Sequence, residues 1–103
     1  MIGIMALAVT AAASDPRCAA RVDFFQPPRG MISTPSMASK IAETYFNAIF
    51  GARTIRRELP LKVSIQRGVW HVEGHSEPLE IGGVAEIDLC RSNGLVLHVA
   101  HGQ

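Results

Sequence analysis

The segment that most constrains the fold of this sequence is residues 61–83, which is centred on the run GVWHVEG at residues 68–74. Apolar and polar residues alternate on both sides of the Arg67-Gly68 pair, and this pattern predicts two half-buried β-strands joined by a turn. Trp70, the single tryptophan, lies on the apolar side of the second strand, where a large ring can anchor a small core. We therefore predict that the domain is organised around Trp70.

A second hairpin is predicted further along the chain. Its first strand alternates apolar residues with Glu86 and Asp88, and the Asn93-Gly94 pair is typical of a tight turn. Together the two hairpins predict a four-stranded antiparallel sheet with one apolar face. The residues predicted to point inward are Leu61, Val63, Ile65, Trp70, Val72, Ala85, Ile87, Leu89, Leu95, Leu97 and Val99.

One main helix is predicted to cover this face, from Pro35 to Phe50. Thr34 supplies a capping hydroxyl, Pro35 suits the first helical position, and Gly51 can end the helix in a left-handed conformation. Its buried stripe is predicted to contain Met37, Ile41, Tyr45, Ala48 and Ile49, widened by Ala38, Ala42, Phe46 and Phe50. A short helical or turn-like passage over residues 52–58 follows, and Pro60 ends it. The predicted fold class is α+β, one main helix packed on a four-stranded antiparallel meander.

Composition limits the classes of function. The 103 residues suffice for one domain, and a hydrophobic fraction of 48% with 18% charged residues argues against disorder. The formal net charge is only +1, so the sequence gives no electrostatic signature of a nucleic-acid partner.

The N-terminal residues 1–13 resemble a signal peptide, because the segment is apolar and ends in the small residues Ala11, Ala12 and Ala13. No Lys or Arg precedes the apolar run, and a buried N-terminal helix is the alternative. Residues 14–34 contain several prolines and are predicted to form an extended arm before a domain at residues 35–103. We expect a periplasmic or secreted protein without membrane insertion, or a cytoplasmic one if the segment is not a leader.

The two cysteines, Cys18 and Cys90, could form one disulfide in an oxidising compartment or remain thiols. No C-x-x-C motif is present for redox chemistry, and two cysteines are too few for a cysteine-rich zinc site.

The polar face of the predicted sheet carries two groups that could support chemistry. His71, Glu73 and His75 have the alternate spacing that puts side chains on one face of a strand, and they could bind a metal. Glu86, Asp88 and His98 could act as acids and bases, as a related fold uses such residues in a deep pocket. The chain is short for walling off such a pocket, so we expect no catalysis, metal or cofactor. A protein-binding surface is favoured.

Several short motifs together carry a family resemblance. They are, in order, Ile41-Ala42, Ile49-Phe50-Gly51, Ile55, Glu58-Leu59-Pro60, the run at residues 69–74, the run at residues 82–87, the run at residues 93–97, and His101-Gly102. The combination resembles the bacterial nuclear-transport-factor-2 (NTF2) fold immunity proteins. Members of that family are small proteins encoded beside polymorphic toxins of bacterial competition, and they bind and neutralise a cognate toxin.

The resemblance implies a protein toxin as partner and no catalysis, and the sequence leaves homodimer formation open. The residues expected to contact the toxin are His71, Glu73, His75, Glu77, Glu80, Glu86, Asp88 and His98. The residues expected to maintain the scaffold are Gly51, Pro60, Trp70, Gly74, Gly82, Gly83 and Gly94. The chain departs from the family at Leu61, where an aromatic residue is frequent, and over residues 75–81, where partner choice could differ. The alternative is a small periplasmic PepSY-like domain that inhibits or senses a protease or ligand.

Overall fold

A computed structural model describes Gly3, residues 13–77 and residues 82–102. The helices are α1 (Pro35–Phe50) and α2 (Ala52–Arg56), and the strands are β1 (Lys62–Gln66), β2 (Val69–Glu73), β3 (Ala85–Cys90) and β4 (Val96–His101). The four strands form one antiparallel sheet in the order β1-β2-β3-β4. This architecture confirms the predicted α+β class. Most of the predicted leader, and Glu80 with the rest of residues 78–81, lie outside the described residues.

The ends of α1 follow from local chemistry. The Met37 backbone N–H donates to Thr34 Oγ1 at 3.2 Å, and Pro35 occupies the first turn, where its missing N–H costs nothing. At the other end Gly51 has a φ of 93°, and its N–H donates to the Asn47 carbonyl at 3.1 Å. Both predicted helix boundaries are therefore confirmed. Among the described residues, no helix is long and apolar enough to cross a membrane.

The buried seam of α1 is narrower than the predicted stripe. Ala38, Ala42 and Phe46 are fully buried at four-residue spacing against the sheet. The small alanines let the helix approach the strands closely, so the contact is centred on this row. Within the predicted stripe Ile41 and Phe50 are half-buried against the core, whereas the prediction was wrong for four residues that are exposed: Met37, Tyr45, Ala48 and Ile49.

The core face of the sheet is best covered at its centre. Trp70, Val72, Ala85, Ile87 and Leu89 are buried, which confirms their predicted orientation. Helix α1 packs mainly on β1, β2 and β3, and it reaches β4 through Phe50, whose ring lies 5.3 Å from that of His101.

Three residues predicted to be buried are exposed instead, namely Ile65 at 45%, Leu95 at 44% and Val99 at 37%. Leu95 precedes β4, because the turn is longer than the Asn93-Gly94 pair predicts. A β-bulge then sets Val96 opposite Leu89, so Val96 packs against the core where Leu97 was expected.

The arm over residues 14–34 is attached to the sheet at both ends. A 3₁₀ turn at Pro16–Ala19 carries Cys18, which is disulfide-bonded to Cys90 of β3. Near the helix start, the Trp70 Nε1–H donates to the Ile32 carbonyl at 2.8 Å, and Ile32 is buried. Trp70 therefore holds the arm against the sheet in addition to filling the core.

Candidate functional site: the outer face of the sheet

The side of the sheet opposite α1, called the outer face here, carries most of the residues predicted to bind a partner. The antiparallel register aligns them in two cross-strand rows. One row contains Ser64, His71, Asp88 and His98, and the other contains Lys62, Glu73 and Glu86. The structure therefore brings together five of the predicted contact residues, His71, Glu73, Glu86, Asp88 and His98.

His71 lies at the centre of the outer face between two carboxylates. Its Nδ1 is 2.6 Å from Asp88 Oδ1, and its Nε2 is 3.6 Å from Glu73 Oε2. Partial burial lowers the pKa of the imidazole, but the hydrogen bond and charge of Asp88, with a smaller contribution from Glu73, outweigh it. The net result is a His71 pKa above its ordinary value, which favours an imidazolium between two acids.

The other ion pairs of the outer face have longer distances or more exposed side chains than the pair of His71 and Asp88. His98 Nε2 lies 2.9 Å from Glu86 Oε1, with both side chains more than one third exposed. Lys62 Nζ is 4.0 Å from Glu73 Oε1. These contacts hold charged groups of both signs in defined positions that remain accessible to a partner.

The structure brings together a different set of possible metal ligands from the predicted set of His71, Glu73 and His75. Ligand atoms of His71, Glu73 and Glu86 all lie within 4.8 Å of one another. His75 does not belong to this group, because β2 ends at Glu73 and the exposed His75 ring pairs with Glu77 at 3.3 Å instead. One imidazole and two half-buried carboxylates are a ligand set that zinc accepts.

The three residues considered for catalysis do not converge on one pocket. A cleft of about 470 Å³ is lined by Asp15, Arg17, Ser64, Gln66, Arg67, Val69, His71 and Asp88. Asp88 lines this cleft, whereas Glu86 and His98 lie outside its lining and bond to each other. Of these three residues, Asp88 alone lines this cleft.

The cleft has a second wall, the N-terminal arm, which sequence patterns did not identify. Both carboxylate oxygens of Asp15 accept hydrogen bonds from the Arg17 guanidinium, at 2.8 and 3.1 Å. These bonds, with a smaller contribution from the charge of Arg67, lower the pKa of Asp15 to about 2. The Asp15 N–H donates to the Arg67 carbonyl at 2.9 Å, and Arg67 Nε donates to the Ala13 carbonyl at 2.8 Å.

A second polar cluster lies where the ends of β2, β3 and β4 meet. The nearly buried Glu58 accepts the Ala85 N–H at 2.7 Å through Oε1, and its Oε2 lies 2.9 Å from His101 Nε2. The hydrogen bond to Glu58 raises the pKa of His101. A Cβ at Gly74 would collide with Glu58, and one at Gly83 would collide with the Gly102 backbone. Glycine therefore suits positions 74 and 83 of the scaffold, because a larger side chain would not fit there.

Comparison with known proteins gives one match. A family model described as NTF2 fold immunity protein matches residues 37–103, which include nearly all of α1 and the whole sheet. No curated protein matches the chain. No solved structure matches it either.

Proposed function

Since this chain belongs to the NTF2 fold immunity protein family, we propose that it neutralises a cognate bacterial toxin by forming an equimolar complex with it. The observation that carries the proposal is the family match over residues 37–103. Immunity of this kind requires occlusion of the toxin rather than turnover, so the protein acts without catalysis and without a cofactor.

The surface proposed to occlude the toxin is the outer face. Among its acidic side chains, Asp88 is paired with His71 at 2.6 Å and Glu86 with His98 at 2.9 Å, while Glu73 lies near both His71 and Lys62. Side chains that are already ordered lose less conformational entropy when a partner binds. Acids held at an accessible surface would also attract a basic toxin surface and raise the rate of encounter.

The loop that follows β2 extends the proposed surface. His75 and Glu77 are exposed at its start, where they pair with each other. Glu80, the other acid expected from sequence to contact the toxin, lies outside the described residues. Variation in this loop would change which toxin is recognised while the strands stay the same.

The proposal includes a location outside the cytoplasm, in the periplasm or secreted. Two features support it: the apolar segment at residues 1–13 and the disulfide between Cys18 and Cys90, a bond that persists in oxidising compartments. N-terminal sequencing of the protein from fractionated cells tests this point. An intact Met1 with free thiols in the cytoplasmic fraction would contradict it.

Coexpression tests the function directly. The toxin to test is the C-terminal domain of a large toxin encoded next to this protein, as expected for the family, and native mass spectrometry measures the complex. We expect the wild-type protein to restore growth and to form an equimolar complex. The double variant Glu73→Lys/Glu86→Lys should lose both properties, because it reverses two charges on the outer face.

Glu43→Lys is the matched control, since Glu43 lies on α1 in the opposite layer. It should protect as well as the wild type does. A wild-type protein that neither protects nor binds would leave immunity against this toxin without support. A double variant that stays folded and protects fully would show that binding uses another surface.

A further inference from the structure

Arg67 has an unusual backbone conformation for its residue type. It occupies the first position of the two-residue turn between β1 and β2, with a φ of 53°, and Gly68 follows with a φ of 76°. Turns with two positive φ angles favour Asn or Asp before Gly, because few other side chains tolerate the left-handed region. Arginine is therefore not the residue that the turn itself would select, which points to a role for its side chain.

Arg67 is one of the residues that line the cleft between the arm and the outer face. The two carboxylates of that cleft are already engaged, Asp15 by Arg17 and Asp88 by His71. Arg67 Nε donates to the Ala13 carbonyl, and among the described residues no carboxylate forms an ion pair with Arg67. Arg67 therefore brings a positive charge that no carboxylate of the described residues neutralises to a cleft that Ser64 and Gln66 also line.

The wall opposite the strands is held in place before any partner arrives. The Cys18–Cys90 disulfide ties the 3₁₀ turn to β3, and the Asp15 N–H donates to the Arg67 carbonyl at 2.9 Å. A partner group that enters the cleft therefore meets a preformed site, which lowers the entropic cost of binding.

We propose that this cleft binds a carboxylate side chain of the cognate toxin, with Arg67 as its principal contact. The proposal rests on the proposed immunity function and names one element of the partner. Arginine is the side chain whose planar fork matches a carboxylate, and it is frequent among residues that dominate interfaces. The acids Glu73 and Glu86 lie outside the cleft lining, whereas the cleft acids Asp15 and Asp88 are paired with Arg17 and His71, so Arg67 supplies an excess positive charge beside the acidic part of the outer face. Two sites of opposite sign would fix the orientation of the toxin.

The test measures affinity for the purified C-terminal domain of the toxin encoded by the neighbouring gene, by calorimetry. Arg67→Asn removes the guanidinium while supplying a residue that the turn favours. We expect its melting temperature to equal or exceed that of the wild type and its affinity to fall about tenfold or more. Arg67→Glu should bind more weakly still, because it opposes a carboxylate. Arg56→Asn, at an exposed arginine at the end of α2, should change affinity less than about twofold.

A second comparison tests whether the arm forms part of the site. The double variant Cys18→Ser/Cys90→Ser removes the covalent link between the arm and β3, so binding of the toxin should weaken. In that background, Arg67→Asn should have a smaller additional effect on affinity. Wild-type protein that does not bind the toxin would overturn this inference together with the proposed function. Wild-type protein that binds, with folded Arg67→Asn and Arg67→Glu variants binding equally well, would overturn this inference alone.

Discussion

Glu58 offers the sharpest test of how the scaffold is held together. It is 7% exposed, and it satisfies the backbone N–H of the fully buried Ala85 while also bonding to His101. Glu58→Ala would leave the Ala85 N–H without its acceptor, at a cost of about 1 to 3 kcal/mol. It would also remove a charge-assisted hydrogen bond to His101, worth about 1.5 to 3 kcal/mol. The expected loss of unfolding free energy is therefore about 2.5 to 6 kcal/mol, a large share of the roughly 5 to 15 kcal/mol typical of a domain.

Urea unfolding monitored by Trp70 fluorescence measures this loss, since Trp70 is the single tryptophan. The matched control is Glu86→Ala, which also removes a glutamate paired with a histidine at 2.9 Å. Glu86 and His98 are 40% and 46% exposed, so this control should cost less than about 1 kcal/mol. Equal losses in the two variants would refute the argument that burial makes the Glu58 contacts strong.

The contact between Glu58 and His101 also makes the unfolding free energy depend on pH. Because the pKa of His101 is raised above 6.5 in the folded protein, its contribution is fully present below the unfolded value of 6.5 and is lost as pH rises through the folded value. Glu58→Gln keeps an acceptor for Ala85 but removes the charge. The difference in unfolding free energy between wild type and Glu58→Gln should therefore be larger at pH 5.5 than at pH 8.5. An equal difference at both pH values would contradict the assigned role of His101.

Three further substitutions test individual contacts. Gly83→Ala should lower the unfolding free energy by about 1 to 3 kcal/mol in thermal melts, because the new Cβ would meet the Gly102 backbone. Trp70→Phe should increase hydrogen exchange around Ile32 and cost at least about 1 kcal/mol, because the carbonyl of that residue loses its indole donor. Thr34→Ala should cost about 1 kcal/mol by removing the cap of α1, whereas Thr34→Ser should retain most of the stability.

The features that sequence predicted correctly are those that neighbouring residues determine. Thr34, Pro35 and Gly51 mark the ends of α1 through contacts within one helical turn. The Arg67-Gly68 turn follows from the alternation on either side of it, and the register it sets places Trp70 in the core. The polar face was predicted for the same reason, since alternation determines which side chains share a side of the sheet.

The features that sequence did not predict depend on residues distant in the chain. Both apolar rows of α1 suit a buried face, and only the sheet determines that the row with Ala38 and Ala42 is chosen. The bulge opposite Leu89 cannot be seen in the alternation of β4 alone. The cleft is formed by the arm, whose position depends on Cys18 meeting Cys90. An arginine before glycine in a two-residue turn was the one local signal of that site.

The hairpins that form the fold are distinct from the N-terminal segment that lines the cleft. Every strand pairs only with its neighbour in sequence, so the sheet can form by closing short loops, which favours rapid folding. The Cys18–Cys90 bond instead spans a sequence separation of 72 and joins the arm to a sheet whose register does not depend on it. An engineer could therefore exchange the segment around the 3₁₀ turn (Pro16–Ala19), and with it one wall of the cleft, while keeping Ile32 in the core and leaving the hairpins that build the domain unaltered.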